Sequence, residues 1–151
     1  MIEFPKKIPI ERIEEYHTHY IGTTKDEKQF WGYVTFVFIK PHVEIIGDWQ
    51  DFRHEYAILH TFDKNGCYLD TKSWLGGTTK QVDNIILYTK LEEMVAELGD
   101  IQFGDIEVEL FQTEIDGIVF GLIPNKEYGF IDLQPSSTIA FGEPWDGSYS
   151  T

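Results

Sequence analysis

Asp83-Asn84-Ile85-Ile86-Leu87-Tyr88-Thr89-Lys90-Leu91-Glu92-Glu93-Met94-Val95-Ala96-Glu97-Leu98 is the stretch that decides the fold. Leu87, Tyr88, Leu91, Met94, Val95 and Leu98 recur at the spacing of one apolar stripe on a 3.6-residue period, while Glu92, Glu93 and Glu97 fall off it. Asp83 or Thr79 can cap the first turn, and Gly99 stands where a helix wants a left-handed residue just past its end. The spacing predicts one amphipathic helix over about residues 83–98.

Outward from this helix the chain reads as strands. Upstream, β-branched and aromatic residues dominate at 16–21, 29–39, 55–62 and 67–75. Asp63-Lys64-Asn65-Gly66 joins the last two as a hairpin turn, because Asn-Gly tolerates positive φ. Downstream, strands are expected at 101–103, 105–113, 118–123, 130–133 and 138–141, with Asp116-Gly117 as a second hairpin turn. Pro5 and Pro9 break residues 1–15 into an irregular lead-in with at most a short helical turn. Residues 40–52 read as a connection, Gly76-Gly77 as a release of the backbone, and 143–149 as an irregular tail. The expectation is a single α+β domain over 1–151: a curved, largely antiparallel sheet of about seven to eight strands with the helix on its apolar face.

Composition narrows the function. The chain has 151 residues, 42% of them hydrophobic and 15% aromatic, which is enough for a packed core. Twelve basic side chains face 26 acidic ones, a net charge of -14. That excludes a nucleic-acid interface, which needs clustered positive charge, and disfavours anionic membranes. The one cysteine, Cys67, forbids an internal disulfide and any site built on two thiolates. The first residues lack an apolar signal core and no run reaches the length of a membrane span, so a cytoplasmic protein is expected.

The charge is uneven. Residues 91–151 carry 13 acids and one base, Lys126. Within them, Asp105-Ile106-Glu107-Val108-Glu109-Leu110 alternates, so a strand there sets Asp105, Glu107 and Glu109 on one face and the apolar residues on the other. Glu114 and Asp116 extend the negative field. The plain reading is the wet face of a half-buried strand. The functional reading is an acidic platform for a basic protein partner, with Trp145 as an aromatic anchor or, alternatively, a lid on the core.

His17 and His19 stand two apart in a predicted strand, so both imidazoles can point one way, as half of a transition-metal site. A third ligand would come from His54, His60, Glu15 or Glu55. The competing reading is two polar residues on an exposed strand. Cys67 has no basic neighbour in sequence to activate it, and Gly76-Gly77-Thr78-Thr79-Lys80 lacks the spacing of a phosphate loop. No cofactor motif is present. A small-ligand binder using an aromatic concave sheet face around Phe30, Tyr33 and Trp74 is a third possibility.

Four segments carry a resemblance: Phe111-Gln112-Thr113-Glu114-Ile115-Asp116-Gly117, Phe120-Gly121-Leu122-Ile123-Pro124, Glu143-Pro144-Trp145-Asp146-Gly147, and Lys90 to Gly99. Together they resemble small bacterial proteins labelled formate hydrogenlyase regulatory proteins. The resemblance implies an intracellular regulator acting through other proteins, and it brings no set of functional residues. The expectation is therefore a non-enzymatic regulatory or inhibitory binding module, of the kind that regulates a protein or neutralises a toxin. The alternative is a metal-binding protein or metal-dependent enzyme centred on His17 and His19.

Overall fold

The structure, a computed structural model, describes residues 3–14, 17–39, 46–136 and 139–151. The fold is α+β, with one α-helix among twelve strands in the described residues. In chain order the strands are β1 (Lys7–Ile10), β2 (Tyr20–Thr24), β3 (Gln29–Phe38), β4 (Arg53–Phe62), β5 (Tyr68–Thr78), β6 (Ile101–Phe103), β7 (Ile106–Glu109), β8 (Gln112–Ile115), β9 (Ile118–Asn125), β10 (Phe130–Gln134), β11 (Ala140–Phe141) and β12 (Tyr149–Ser150). The helix α1 (Asn84–Ala96) lies between β5 and β6, and a 3-10 turn, Trp49–Phe52, precedes β4.

The strands form three sheets, not the one of about seven to eight strands that the sequence suggests. One sheet has the order β5-β4-β3-β2-β6, a second β12-β11-β10-β9-β8, and β1 pairs with β7 as a two-stranded ribbon. All pairings are antiparallel. The division arises inside 105–113, which reads as one strand. After Glu109 the chain leaves β1 and re-pairs with β9, and the Phe111 carbonyl accepts from Leu122 N–H at 3.0 Å. Gly121 makes that crossing possible: a Cβ there would lie 2.1 Å from the Phe111 oxygen.

The lead-in also contains a strand the sequence hid. Pro9 sits in β1 opposite Glu107, and β1 pairs on one side alone, where a missing N–H costs no ladder bond on the open side. At the two hairpins the turn chemistry holds. Asp116 and Gly117 both have positive φ, at 54° and 78°. The Asp63 carboxylate accepts from the backbone of Asn65 and Cys67, and Gly66 has φ 88°.

Two apolar layers result. Alternation along β3 sends Trp31, Tyr33 and Val37 to one face, where they meet Tyr56, Ile58 and Phe62 of β4. Phe120, Leu122, Ile131, Leu133 and Phe141 of the second sheet close this layer, and Ile8, Ile10, Ile106 and Val108 of the ribbon pack into it. Phe30, Ala57 and Leu59 point the other way and meet Leu87, Leu91, Met94 and Val95 of α1. The order is therefore helix, sheet, sheet. Asp83 caps α1, accepting from Ile85 N and Ile86 N, and Gly99 past its end has φ 86°. Tyr88, placed in the stripe by its spacing, is instead 48% exposed at the helix margin.

Candidate functional site

The acidic row falls as the alternation predicts. Ile106 and Val108 are buried, Asp105 and Glu107 are exposed, and Glu109 is half-buried. Its closest counter-charges, however, come from this chain. β7 lies against β1, which brings Lys6 Nζ within 3.2 Å of Glu109 and Lys7 Nζ within 3.8 Å of Glu107. Asp105 accepts a hydrogen bond of 2.8 Å from the Arg12 backbone. Glu109 also accepts from the Cys67 thiol at 2.7 Å. This bond, first of all, holds the Glu109 carboxyl below its usual range and pushes the Cys67 thiol up, which keeps the sulfur protonated rather than nucleophilic.

Glu114 and Asp116 lie apart from this row, on β8 and the hairpin after it, and both are exposed. Burial, and then the 3.0 Å hydrogen bond that the Tyr56 hydroxyl donates to Asp116, push that phenol up to about 12. Trp145 is half-buried, with its ring 6.2 Å from Phe4 and packed on the inter-sheet core. Trp49 is the more exposed aromatic, and Arg53 lies over both its ring and that of Phe36, at 5.0 and 4.2 Å.

His17 and His19 are not in a strand. The chain turns at 17–19 and β2 begins at Tyr20, so their common direction cannot come from strand alternation. The structure nevertheless brings them to one place, a cleft of about 400 Å³ between α1 and the β2–β3 side of the first sheet. Its wall carries His17, His19, Tyr20 and Tyr88, and Gly32, Val34 and Leu91 contribute the apolar part. The cleft exists because β2 is short. Its register on β3 ends at Tyr20↔Gly32, and no described strand pairs with β3 on that side beyond this point. Gly32 lets the helix lie close: a Cβ there would come within 3.0 Å of Leu91 Cδ1.

Burial pushes the His17 imidazole below its usual range, favouring the neutral ring. His19 Nδ1 is buried with no hydrogen-bond partner among the described residues, an uncompensated polar atom at the cleft wall. The His19 carbonyl accepts from Arg12 Nε at 2.8 Å, and the Arg12 guanidinium lies over Phe103 and pairs with Glu14. Neither His54, His60 nor Glu55 lines the cleft, and Glu15 lies outside the described residues. Among the described residues no three His, Cys, Asp or Glu side chains come together as a metal site.

His60 is sealed between the sheets. Its Nε2 is 2.8 Å from the Tyr33 hydroxyl and its Nδ1 is 2.7 Å from Thr71 Oγ1, which in turn lies 2.7 Å from the Tyr68 hydroxyl. Burial lowers its pKa to about 3. The concave face imagined around Phe30, Tyr33 and Trp74 is not open. Phe30 is fully buried beneath α1, Trp74 packs beside it, and the Tyr33 ring points into the opposite layer.

The signal that the sequence withheld was the cleft itself, since its wall comes from three separate segments. Among the described residues no helix is long and apolar enough to cross a membrane. Comparison of the chain with protein-family models, with curated proteins and with solved structures finds no match.

Proposed function

We propose that the chain is a non-enzymatic, single-domain binding module of the cytoplasm that regulates or inhibits a basic protein partner through its acidic surface. The observation that carries this reading is the charge of residues 91–151, 13 acids against Lys126 alone. Ion pairs to Lys6, Lys7, Lys72 and Lys90 engage Glu109, Glu107, Glu97 and Glu93. Glu92, Asp100, Glu114, Asp116, Glu127 and Glu143 are exposed, and no described lysine or arginine lies within ion-pair distance of them. Such a field accelerates encounter with a basic surface and repels acidic competitors. With Glu107 and Glu109 facing Lys7 and Lys6, and Asp105 bonded to the Arg12 backbone, the docking surface shifts toward Glu114 and Asp116.

The non-enzymatic part draws support from the chemistry of the reactive groups. The Cys67 thiol is hydrogen-bonded to a carboxylate that raises its pKa, and the His60 imidazole is shut inside the core.

Affinity capture from the native cell, followed by reconstitution of the purified pair, tests the proposal. The expected partner is a basic protein that binds stoichiometrically and loses affinity to the Glu114→Gln/Asp116→Asn variant. A neutral or acidic partner, or one indifferent to that variant, would overturn it.

A further inference from the structure

We infer that the cleft between α1 and the β2–β3 edge is a binding site for an organic cation, a guanidinium or primary ammonium group. The inference rests on the binding-module reading and deepens it by naming the chemical group the module grips.

Shape comes first. A volume of about 400 Å³ lies at the lower end of ligand sites and suits one long basic side chain or a small cation of similar length. The wall then selects the charge. Tyr20 and Tyr88 offer aromatic rings, whose faces carry partial negative charge and attract cations within about 6 Å of the ring centre. Val34, Leu91 and Gly32 give an apolar bed for methylene groups.

A carboxylate beside the wall, one turn along α1 from Tyr88, supplies the counter-charge. Tyr88 and Glu92 are four residues apart on α1, so they stand on the same side of the helix, one turn from each other. The Glu92 carboxylate is close enough that, after burial, its field is the next cause raising the Tyr20 phenol. Glu92 is exposed and has no described lysine or arginine within ion-pair distance, while its neighbour Glu93 is taken by Lys90. The one guanidinium touching the His17–His19 turn, that of Arg12, is already committed to Glu14, the His19 carbonyl and the Phe103 ring.

Other ligand classes fit less well. An anion would meet Glu92 and a chain of net charge -14. A transition metal would find two imidazoles and no third ligand among the described residues.

Calorimetric titration of the full chain with three probes tests the site: agmatine, an acetylated Gly-Arg-Gly amide, and the same peptide with citrulline in place of arginine. Citrulline keeps the shape and loses the charge. Saturable binding of a cationic probe is expected, about tenfold or more tighter than the citrulline peptide. Glu92→Gln and Tyr88→Ala should each weaken it several-fold, and Glu92→Gln, whose side chain is exposed, should leave the thermal midpoint unchanged. Agmatine binding much tighter than the arginine peptide assigns the site to a free cation, and peptide binding equal to or tighter than agmatine assigns it to a partner's side chain. Equal binding of the citrulline peptide, or no saturable binding of either cationic probe, would overturn the inference. If it fails while a basic protein partner still binds through Glu114 and Asp116, the site is wrong and the binding-module reading stands.

Discussion

Tyr33 and His60 stand diagonally across β3 and β4, joined by a 2.8 Å hydrogen bond in the layer between the two large sheets. The imidazole is fully buried and its pKa is lowered from 6.5 to about 3. Below pH 6.5 the unfolded chain therefore takes up a proton that the folded chain refuses. The stability from a neutral His60 is complete above about pH 6.5 and is lost as the pH falls toward 3, at roughly 1.4 kcal/mol per unit. Urea unfolding of the wild type and of Tyr33→Phe/His60→Leu across pH 7 to 4 measures this. The variant should show the shallower pH dependence, and equal slopes would mean that His60 is protonated in the fold.

Leu91 is fully buried on the inner face of α1, and Gly32 leaves it room on β3. Leu91→Ala should cost roughly 2–5 kcal/mol in chemical denaturation. Gly32→Ala should cost about 1–3 kcal/mol, because its Cβ would press on Leu91 Cδ1 at 3.0 Å. In the Leu91→Ala background the second penalty should shrink, since the obstructing methyl group is gone. Strict additivity would show that the two positions do not meet.

Glu109 accepts the Cys67 S–H and thereby disfavours the thiolate. Glu109→Gln should let the exposed Cys67 react several-fold faster with iodoacetamide at mildly alkaline pH. An unchanged rate would remove Glu109 as the cause. Neutralising the acidic row has two opposed effects. Asp105→Asn/Glu107→Gln/Glu109→Gln relieves repulsion but also loses the contacts to Lys6 and Lys7. Exposed pairs of this kind are worth about 0–1 kcal/mol, so thermal unfolding should move little.

What the sequence made legible was local. Asp83 and Gly99 mark the ends of α1, and Asn65-Gly66 and Asp116-Gly117 mark the hairpins, because caps and turns act within a few residues. The inward turn of Ile106 and Val108 also followed from alternation. What stayed hidden was pairing at a distance. Nothing near Glu107 or Glu109 announces that Lys6 and Lys7, about a hundred residues earlier, lie across from them. Likewise, Tyr16 to Ile21 has strand composition, yet tertiary pairing starts β2 at Tyr20 and turns His17 and His19 toward α1.

Recognition of a basic protein by the acidic segment 91–151 is the central claim, and its most direct measurement is the association rate of the purified pair by stopped flow as ionic strength rises. Screening shortens the Debye length to about 8 Å near 0.15 M salt, so an encounter steered by the net charge of -14 must slow. The expected result is a steep fall in on-rate with salt for the wild type, and a slower, flatter profile for Glu114→Gln/Asp116→Asn with the off-rate little changed. An on-rate that ignores both salt and these two substitutions would contradict the claim.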